Sequence, residues 1–297
     1  MWFKQLAIFR LPEAPSAEVL AEKLAGAQFA PCMGLDWFSE GFAAPAPFSP
    51  ELVFPADHTQ RIALRRQERV LPTAVIRDIL DDKVGKIQQA EGRSVGRKEK
   101  QELKEQIIDD LLPRAFTKSS RTEAVIDTKH GLLLVNSANA AKAELLLAKL
   151  RTALGGLTAL LPRTVESPRS LMTRWLLDGA AQGEFALEYD ANLRGAGDMG
   201  ATVRVGRQDL TADEVISHAK NGKTVTELGL RWNDRISFVL TQDFTFKRIQ
   251  FLDALQEEAE GRGDDMASLM YASQIMMTYN LYEMIDELAE HLGGWQD

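Results

Sequence analysis

The feature that most constrains this chain is a helical hairpin placed between two strand-like segments. Apolar residues recur at offsets 0, 3, 4, 8 and 11 from Ile76, which forms one stripe of an amphipathic helix. Residues 92–96 contain two glycines and interrupt it, and Gly96 with Glu99 three positions later predicts the start of a second helix. Pro113 predicts its end. The fold must therefore accommodate two inserted helices joined by a charged tip.

The segments on either side of this hairpin predict strands and two further helices. Because residues 29–55 contain five prolines, we expect a loop there. Glycines predict where the two helices end, Gly26 for the first and Gly155 for the second. The predicted elements are strands at 2–11 and 61–65, a helix at 17–27, a β-hairpin at 123–128 and 132–136, and a helix at 138–154.

The second half of the chain predicts another mixture of strands and helices. Thr211 with Glu214 three positions later is a capping-box signal. A methionine-rich stripe between Met266 and Leu292 predicts a long acidic helix that contacts the core or another subunit. The irregular order of elements favours the α+β class. The other predicted elements are strands at 184–189, 201–205, 224–232, 235–241 and 245–251, and a helix at about 212–220.

The charge of the chain is unevenly distributed. The net charge of −8 and the pI near 5.2 argue, by themselves, against a nucleic-acid partner. Residues 61–121, however, carry 15 Lys and Arg against 10 Asp and Glu, whereas residues 251–297 carry one Arg against 11 Asp and Glu. The middle of the chain could therefore face a polyanion; the alternative is that its charges belong to ordinary solvated helix faces.

Motifs for nucleotides, metals or membranes are weak. Gly195–Gly200 spells the dinucleotide-binding pattern, but a strand is predicted after it where such a site needs a helix, so we expect a hairpin loop. The four histidines have no ligand-like spacing to one another or to Cys32, so we expect no metal site and no cofactor. The single cysteine, the absence of a secretory signal and the lack of a long apolar stretch predict a cytoplasmic protein without a membrane partner.

A metal-dependent DNA nuclease is the enzymatic alternative. It would need carboxylates gathered around Mg²⁺, often with a lysine nearby. Glu102 and Lys104 have a suitable spacing but lie on a helix predicted to be exposed, and Asp127 at a strand end is the other candidate. The sequence therefore favours a protein that is not an enzyme. A protein-only interaction module, with the acidic helix as the partner surface, is a third possibility.

Basic residues concentrate in the helical hairpin and on both sides of it. Such a density can neutralise phosphates without reading bases, and no base-reading motif is recognisable. Phe116 is either a wedge or stacking residue or part of the core. Four arginines alternate along the preceding strand: Arg61, Arg65, Arg66 and Arg69. The basic residues of the hairpin and its return are Arg97, Lys98, Lys100, Lys104, Arg114, Lys118 and Arg121.

Short segments in order along the chain resemble the RdgC family of recombination-associated proteins. They run from residue 1 to about residue 250, and the remaining residues match mainly in being helical and ending in Gly-Gly. The segments are Met1–Lys4, Leu111–Phe116, Ile126–Thr128 with Gly131–Leu132, Ala138–Glu144, Gly179–Gly183 and Arg207–Thr211.

The resemblance implies a nucleoid-associated, ring-shaped homodimer of α+β subunits. Its hole would admit double-stranded DNA with little sequence preference, and it would restrain the RecA recombinase, with direct contact to RecA left open. An acidic exterior is compatible with this function if the basic residues face the hole. The resemblance also implies that Arg207 and Gln208 lie near the closing contact of the ring, with arginine where some relatives have lysine. The expected DNA-binding residues are thus the seven basic residues of the hairpin and its return, together with Phe116, Arg207 and Gln208.

The same resemblance implies three parts in each subunit. A central α+β domain with a mixed sheet would comprise residues 1–72 and 114–165. The helical hairpin at 73–113 would protrude from it. A C-terminal α+β domain with dimerising helices would comprise residues 166–297.

Overall fold

The computed structural model describes residues 2–197 and 199–296. Strands and helices alternate irregularly along them, which confirms the α+β class. In chain order the elements are β1 (Ala7–Arg10), α1 (Ala17–Ala25), β2 (Phe38–Ala43), β3 (Phe54–Ala56), β4 (Thr59–Val70), α2 (Thr73–Glu91), α3 (Arg97–Leu111), a 3₁₀ turn (Leu112–Arg114), β5 (Phe116–Asp127), β6 (Leu132–Val135), α4 (Ala140–Leu154), α5 (Pro168–Asp178), β7 (Phe185–Arg194), β8 (Thr202–Val205), α6 (Asp213–Lys220), β9 (Thr224–Trp232), β10 (Ile236–Thr241), β11 (Phe246–Phe251), α7 (Asp253–Glu260) and α8 (Met266–His291).

The chain forms two compact units, each made of segments that are separate in sequence. The first unit contains the N-terminal residues up to Gly26, residues 44–62 and the chain from Thr122 onward. The second unit contains residues 27–43 and 63–121. The long strands β4 and β5 carry the chain between the units, so each contributes its two parts to different units.

The first unit is built on antiparallel strands. β6 lies between β1 and the end of β5, and a second sheet has the order β11-β10-β9-β7-β8. The predicted mixed sheet is wrong, because every strand pair with a defined register in the described residues is antiparallel. Short connections, such as the one from Thr128 to Gly131, permit only this direction. The apolar core joins both sheets to α5 and α8 through Phe3, Leu134, Trp175, Phe238 and Met277.

The second unit contains the helical hairpin, and the predicted pair of helices is confirmed. α2 and α3 lie between β4 and β5 along the chain, and their buried residues are Ile76, Val84 and Ile107. Gly92 ends α2 in the left-handed conformation, with φ at 65°, and Gly96 is the N-cap of α3. The Glu99 carboxylate accepts hydrogen bonds from Arg93 at 2.7 Å and from the Gly96 backbone, but Gly96 has no side chain that could complete a capping box.

One prediction that rested on prolines is wrong, and one helix was not predicted. The predicted loop at 29–55 contains β2 and β3, because the prolines flank β2 and Pro55 lies in β3, which pairs on one side with β4. The unpredicted helix is α5, which begins at Pro168. At this first position a proline costs no hydrogen bond, and Ser167 caps the helix.

The methionine-rich stripe predicted on α8 lies largely in the core, although its first residue, Met266, is 61% exposed. Met276, Met277 and Met284 are buried, and Gly293 follows the helix with φ at 83°. The predicted capping box at Thr211 is wrong: α6 begins after Ala212, and the Thr211 hydroxyl donates to Asp209. None of the described helices is both long and apolar enough to cross a membrane.

Candidate nucleic-acid interface

One side of α3 carries exposed cations. Arg97, Lys100 and Lys104 follow one another at i, i+3 and i+7, so their side chains leave the same face of the helix. Arg97 and Lys100 are exposed and Lys104 is half-buried. The side chain of Lys98 is 94% exposed, and its contact with Glu102 at 3.9 Å is too weak to restrain it. This arrangement gives α3 a face suited to phosphate contacts.

At the tip of the hairpin, one arginine pairs with two neighbouring glutamates. The Arg93 guanidinium donates to Glu91 at 2.6 Å and to both carboxylate oxygens of Glu99 at 2.7 Å. The hydrogen bonds from Arg93 lower the pKa of Glu99, and those same acids raise the pKa of Arg93. The tip therefore fixes the turn between α2 and α3, and the positive side of the hairpin is the face of α3.

The return from the hairpin exposes an aromatic ring among basic residues. Phe116, the first residue of β5, is 88% exposed and lies outside the core. Arg114 precedes it in the 3₁₀ turn and Lys118 follows it on the strand, and both are exposed, as is Arg121. Residues 116–121 are exposed on both faces of the strand. An aromatic ring presented in this way can stack on or wedge between bases while the cations contact phosphates.

The arginines of β4 are buried or half-buried and contact other groups of the protein, which corrects their grouping with the exposed cations. Arg61 is fully buried in the first unit. In the second unit Arg65 lies 4.4 Å over the ring of Phe29, and Arg66 pairs with Glu40. Arg69 donates to the backbone carbonyls of Cys32, Pro113 and Ala115 at 3.2–3.3 Å. These side chains fasten strands and loops together.

Arg207 and Gln208 belong to the first unit, whereas the basic residues of α3 and the start of β5 belong to the second. Arg207 is exposed and adopts the left-handed conformation, with φ at 55°. The Gln208 side-chain amide donates to Glu214, and its backbone N–H donates to the Tyr189 carbonyl at 3.1 Å. These two hydrogen bonds hold Gln208 in place, and its neighbour Arg207 is exposed in the same loop between β8 and α6.

The glycine-rich segment 195–200 is a hairpin loop between β7 and β8, as predicted. The Gly195 N–H donates to the Ala201 carbonyl at 3.0 Å, and β8 follows directly. Asp198 of the motif lies outside the described residues. Since the loop leads into a strand, it lacks the helix N-terminus that receives a pyrophosphate in dinucleotide sites.

Sequence reasoning missed one cluster of polar side chains. Asp127, considered alone as a nuclease candidate, lies beside His58 and His130 in the first unit. Glu102 lies on α3 in the second unit. The close spacing of Asp127 and His130 was a local signal, but His58 is too far away in sequence for its spacing to reveal the group.

Comparison with known proteins agrees with the resemblance. A family model described as "Putative exonuclease, RdgC" matches residues 1–295. A protein of Neisseria meningitidis serogroup B named recombination-associated protein RdgC is 64% identical over 299 residues, covering all of both chains. Proteins of the same name are 49% identical in Laribacter hongkongensis, over 99% of each chain, and 38% identical in Pseudomonas paraeruginosa, over 99% of this chain and 98% of that protein. The chain belongs to the RdgC family.

Proposed function

We propose that this chain binds duplex DNA without sequence preference, as a homodimer that encircles the duplex, and thereby restrains RecA-mediated recombination. The observation that carries the proposal is the exposed basic face of α3, continued by Arg114, Phe116 and Lys118. The relatives named recombination-associated proteins support a role at DNA.

The chemistry of these residues favours backbone contacts over base reading. Lysine and arginine that neutralise phosphates release counterions, which gives affinity that is independent of sequence and falls steeply with salt. In this proposal Arg97, Lys100 and Lys104 contact successive phosphates, and Phe116 supplies an apolar contact with bases or sugars. Arg207 and Gln208 act at the closing contact of the ring.

The acidity of the chain is compatible with this function if the acids face away from the duplex. In this proposal the helical hairpin at 73–113 protrudes from a central domain at 1–72 and 114–165, and residues 166–297 provide dimer contacts. The acidic C-terminal segment would then form part of the exterior. A nucleoid-associated location in the cytoplasm follows from DNA binding.

A nuclease is the alternative that the description of the family model brings forward. Glu102 is 58% exposed and contacts Lys98, and Asp127 belongs to a different unit. The His58, Asp127 and His130 group contributes one carboxylate, whereas Mg²⁺ in nucleic-acid enzymes is held by oxygen ligands. We therefore propose a binding protein without enzymatic activity, which leaves labelled duplex intact in the presence of Mg²⁺ or Mn²⁺.

The encircling dimer is tested with one DNA in two topologies. The full-length protein is loaded onto a closed circular duplex at low salt and then challenged with high salt, which weakens phosphate contacts but cannot open a closed topology. We expect part of the protein to remain on the circle and to leave when a restriction enzyme linearises it. Equal loss from circular and linear DNA, or a monomer by light scattering, contradicts encirclement.

The recombination part of the proposal has its own assay. RecA-mediated strand exchange is measured with increasing amounts of the protein at low salt. We expect inhibition that follows occupancy of the duplex and is relieved by excess unlabelled duplex of unrelated sequence. Full inhibition at concentrations that leave the duplex unoccupied would contradict a mechanism based on DNA binding.

A further inference from the structure

Three side chains from separate turns of the first unit converge on one point. His58 lies in the turn between β3 and β4, Asp127 ends β5, and His130 lies in the turn between β5 and β6. One donor atom from each lies within 4.8 Å of the others. His58 Nε2 is 3.7 Å from Asp127 Oδ1, and His130 Nδ1 is 2.7 Å from Asp127 Oδ2.

The positions of these donors are fixed by further hydrogen bonds. Asp127 is 1% exposed, and its Oδ1 accepts the backbone N–H groups of Lys129 and His130 at 3.1 Å. The Thr128 N–H and hydroxyl donate to the His58 carbonyl at 3.0 and 2.8 Å, which ties the two turns together. The cluster is therefore organised by the fold.

The surroundings of His58 match those of a metal-binding histidine, and His130 is held in place by an aromatic ring. A metal-bound histidine commonly uses its second ring nitrogen to contact a carboxylate. His58 Nδ1 lies 2.7 Å from Asp57 Oδ2, which leaves Nε2 directed towards Asp127. The Tyr282 ring of α8 stacks on His130 with centroids 3.6 Å apart and covers one face of it. The histidine side chains remain 29% and 16% exposed, so an ion can enter from solvent.

We propose that His58 Nε2, the Asp127 carboxylate and His130 Nδ1 bind one divalent transition-metal ion of the Zn²⁺ type. Zinc ligands at about 2.0–2.2 Å in a tetrahedron lie roughly 3.4 Å from one another. The 3.7 Å separation between His58 and Asp127 is close to that value. For His130 Nδ1 to bind the ion, its proton must move to Nε2 by way of solvent, so that the ring stays neutral. The 2.7 Å contact between His130 Nδ1 and Asp127 Oδ2 must also lengthen by roughly 0.7 Å to match the same tetrahedral spacing.

The ligand set also determines which ion is favoured. Two imidazoles with one carboxylate suit a transition ion, whereas Mg²⁺ and Ca²⁺ require oxygen ligands. Water would occupy the fourth position on the exposed side. The ion would fasten the β3–β4 and β5–β6 turns beside α8, and the free energy of binding would stabilise the first unit.

The test uses the metal-stripped full-length protein and no DNA, so its outcome is independent of the proposed function. Calorimetric titration with Zn²⁺, with the absorption of bound Co²⁺ as a second signal, should show one ion per chain and a raised melting temperature. His58→Gln and His130→Gln should each weaken Zn²⁺ binding at least tenfold. His218→Gln, a histidine on α6 outside the cluster, is the matched control and should bind as the wild type does.

A further variant separates loss of a ligand from loss of the fold. Asp57→Asn leaves the three donors in place and should weaken Zn²⁺ binding by about tenfold or more, because it changes the partner that orients His58. Circular dichroism of each metal-free variant verifies folding. The proposal is overturned if the stripped wild-type protein shows no saturable binding, or if folded His58→Gln and His130→Gln proteins bind Zn²⁺ as tightly as His218→Gln.

Discussion

Arg61 Nη1 lies 3.4 Å from Glu123 Oε2 in the core of the first unit. Arg61 is fully buried and Glu123 is 7% exposed. Arg61 Nε also donates to the Gln274 side chain of α8 at 3.1 Å, and its guanidinium lies 5.3 Å over the Phe3 ring. Burial lowers the pKa of Arg61, and the Glu123 carboxylate opposes that shift. The pair therefore joins the start of β4 and the end of β5 to α8.

Removing one member of this pair should be costly. Glu123→Gln leaves the Arg61 charge without its carboxylate in the core, so we expect the free energy of unfolding to fall by about 3 kcal/mol. Urea denaturation at neutral pH measures the change. The double substitution Arg61→Met with Glu123→Met should lower the free energy of unfolding less than Glu123→Gln does, because neither charge of the pair remains in the core. A single substitution that stays within about 0.5 kcal/mol of the wild type contradicts this role.

Gly41 on β2 should not tolerate a side chain. A Cβ added there would lie 2.5 Å from the backbone N and Cα of Phe29, which cannot move without breaking the pairing with β2. We expect Gly41→Ala to destabilise the protein by about 1–3 kcal/mol in denaturant unfolding. Gly85→Ala in the middle of α2 is the control: its Cβ meets nothing within 4 Å, and it should stabilise the helix by up to about 1 kcal/mol. Equal effects of the two substitutions would contradict the steric argument.

The basic face of α3 should determine the salt dependence of DNA binding. Lys100→Gln with Lys104→Gln should weaken binding and reduce the slope of log K against log salt by roughly 0.9 for each lost phosphate contact. Fluorescence anisotropy with a labelled duplex measures both quantities. Lys23→Gln with Lys220→Gln removes the same charge from α1 and α6 and should leave the slope nearly unchanged. If both pairs reduce the slope equally, net charge and not the α3 face is responsible.

Phe116 should contribute to DNA affinity without contributing to stability. Its 88% exposure means that truncation removes little buried surface, so Phe116→Ala should leave the melting temperature unchanged. Loss of an aromatic contact worth about 1 kcal/mol should weaken DNA binding roughly fivefold. Phe116→Tyr preserves the ring and should bind nearly as the wild type does. Unchanged affinity in Phe116→Ala would remove this residue from the interface.

The N-cap of α8 should make part of the stability depend on pH. Asp265 Oδ1 accepts the Ser268 N–H and hydroxyl at 2.7 Å, and these hydrogen bonds lower the pKa of Asp265. Since the pKa is lower in the folded state, the stabilisation is present above the unfolded value of about 3.9 and is lost as pH falls through the folded value.

We therefore expect Asp265→Ala to lower the melting temperature at pH 7. The difference from the wild type should narrow in thermal scans as the pH falls below about 3.9. Asp264→Ala, an exposed neighbour, serves as the control. If the difference in melting temperature between Asp265→Ala and the wild type stays constant with pH, the role of the charged cap is contradicted.

The elements predicted correctly depend on local signals. The hairpin of α2 and α3 follows from apolar spacing and from Gly92 and Gly96, which act within one turn of the chain. β2 was missed because the prolines on either side of it were taken to describe the whole segment. α5 was also missed, although Ser167 as N-cap followed by Pro168 is a local signal for the start of a helix.

The candidate site was likewise predicted where the signal is local in sequence and missed where it depends on contacts between distant residues. The cations of α3 are visible in sequence because helical periodicity alone places them on one face. The burial of Arg61 could not be predicted, since its partners Glu123 and Gln274 are 62 and 213 residues away. The grouping of His58 with Asp127 likewise depends on strand pairing that brings distant turns together.

The most direct test of the central claim is binding of the full-length protein to two labelled duplexes of unrelated sequence across a salt series. We expect nearly equal affinities for both duplexes, a steep fall of affinity with salt, and intact strands with and without Mg²⁺. Affinity that differs strongly between the sequences, or that hardly changes with salt, would contradict a phosphate-directed DNA-binding protein. Cleavage on addition of metal would favour the nuclease alternative.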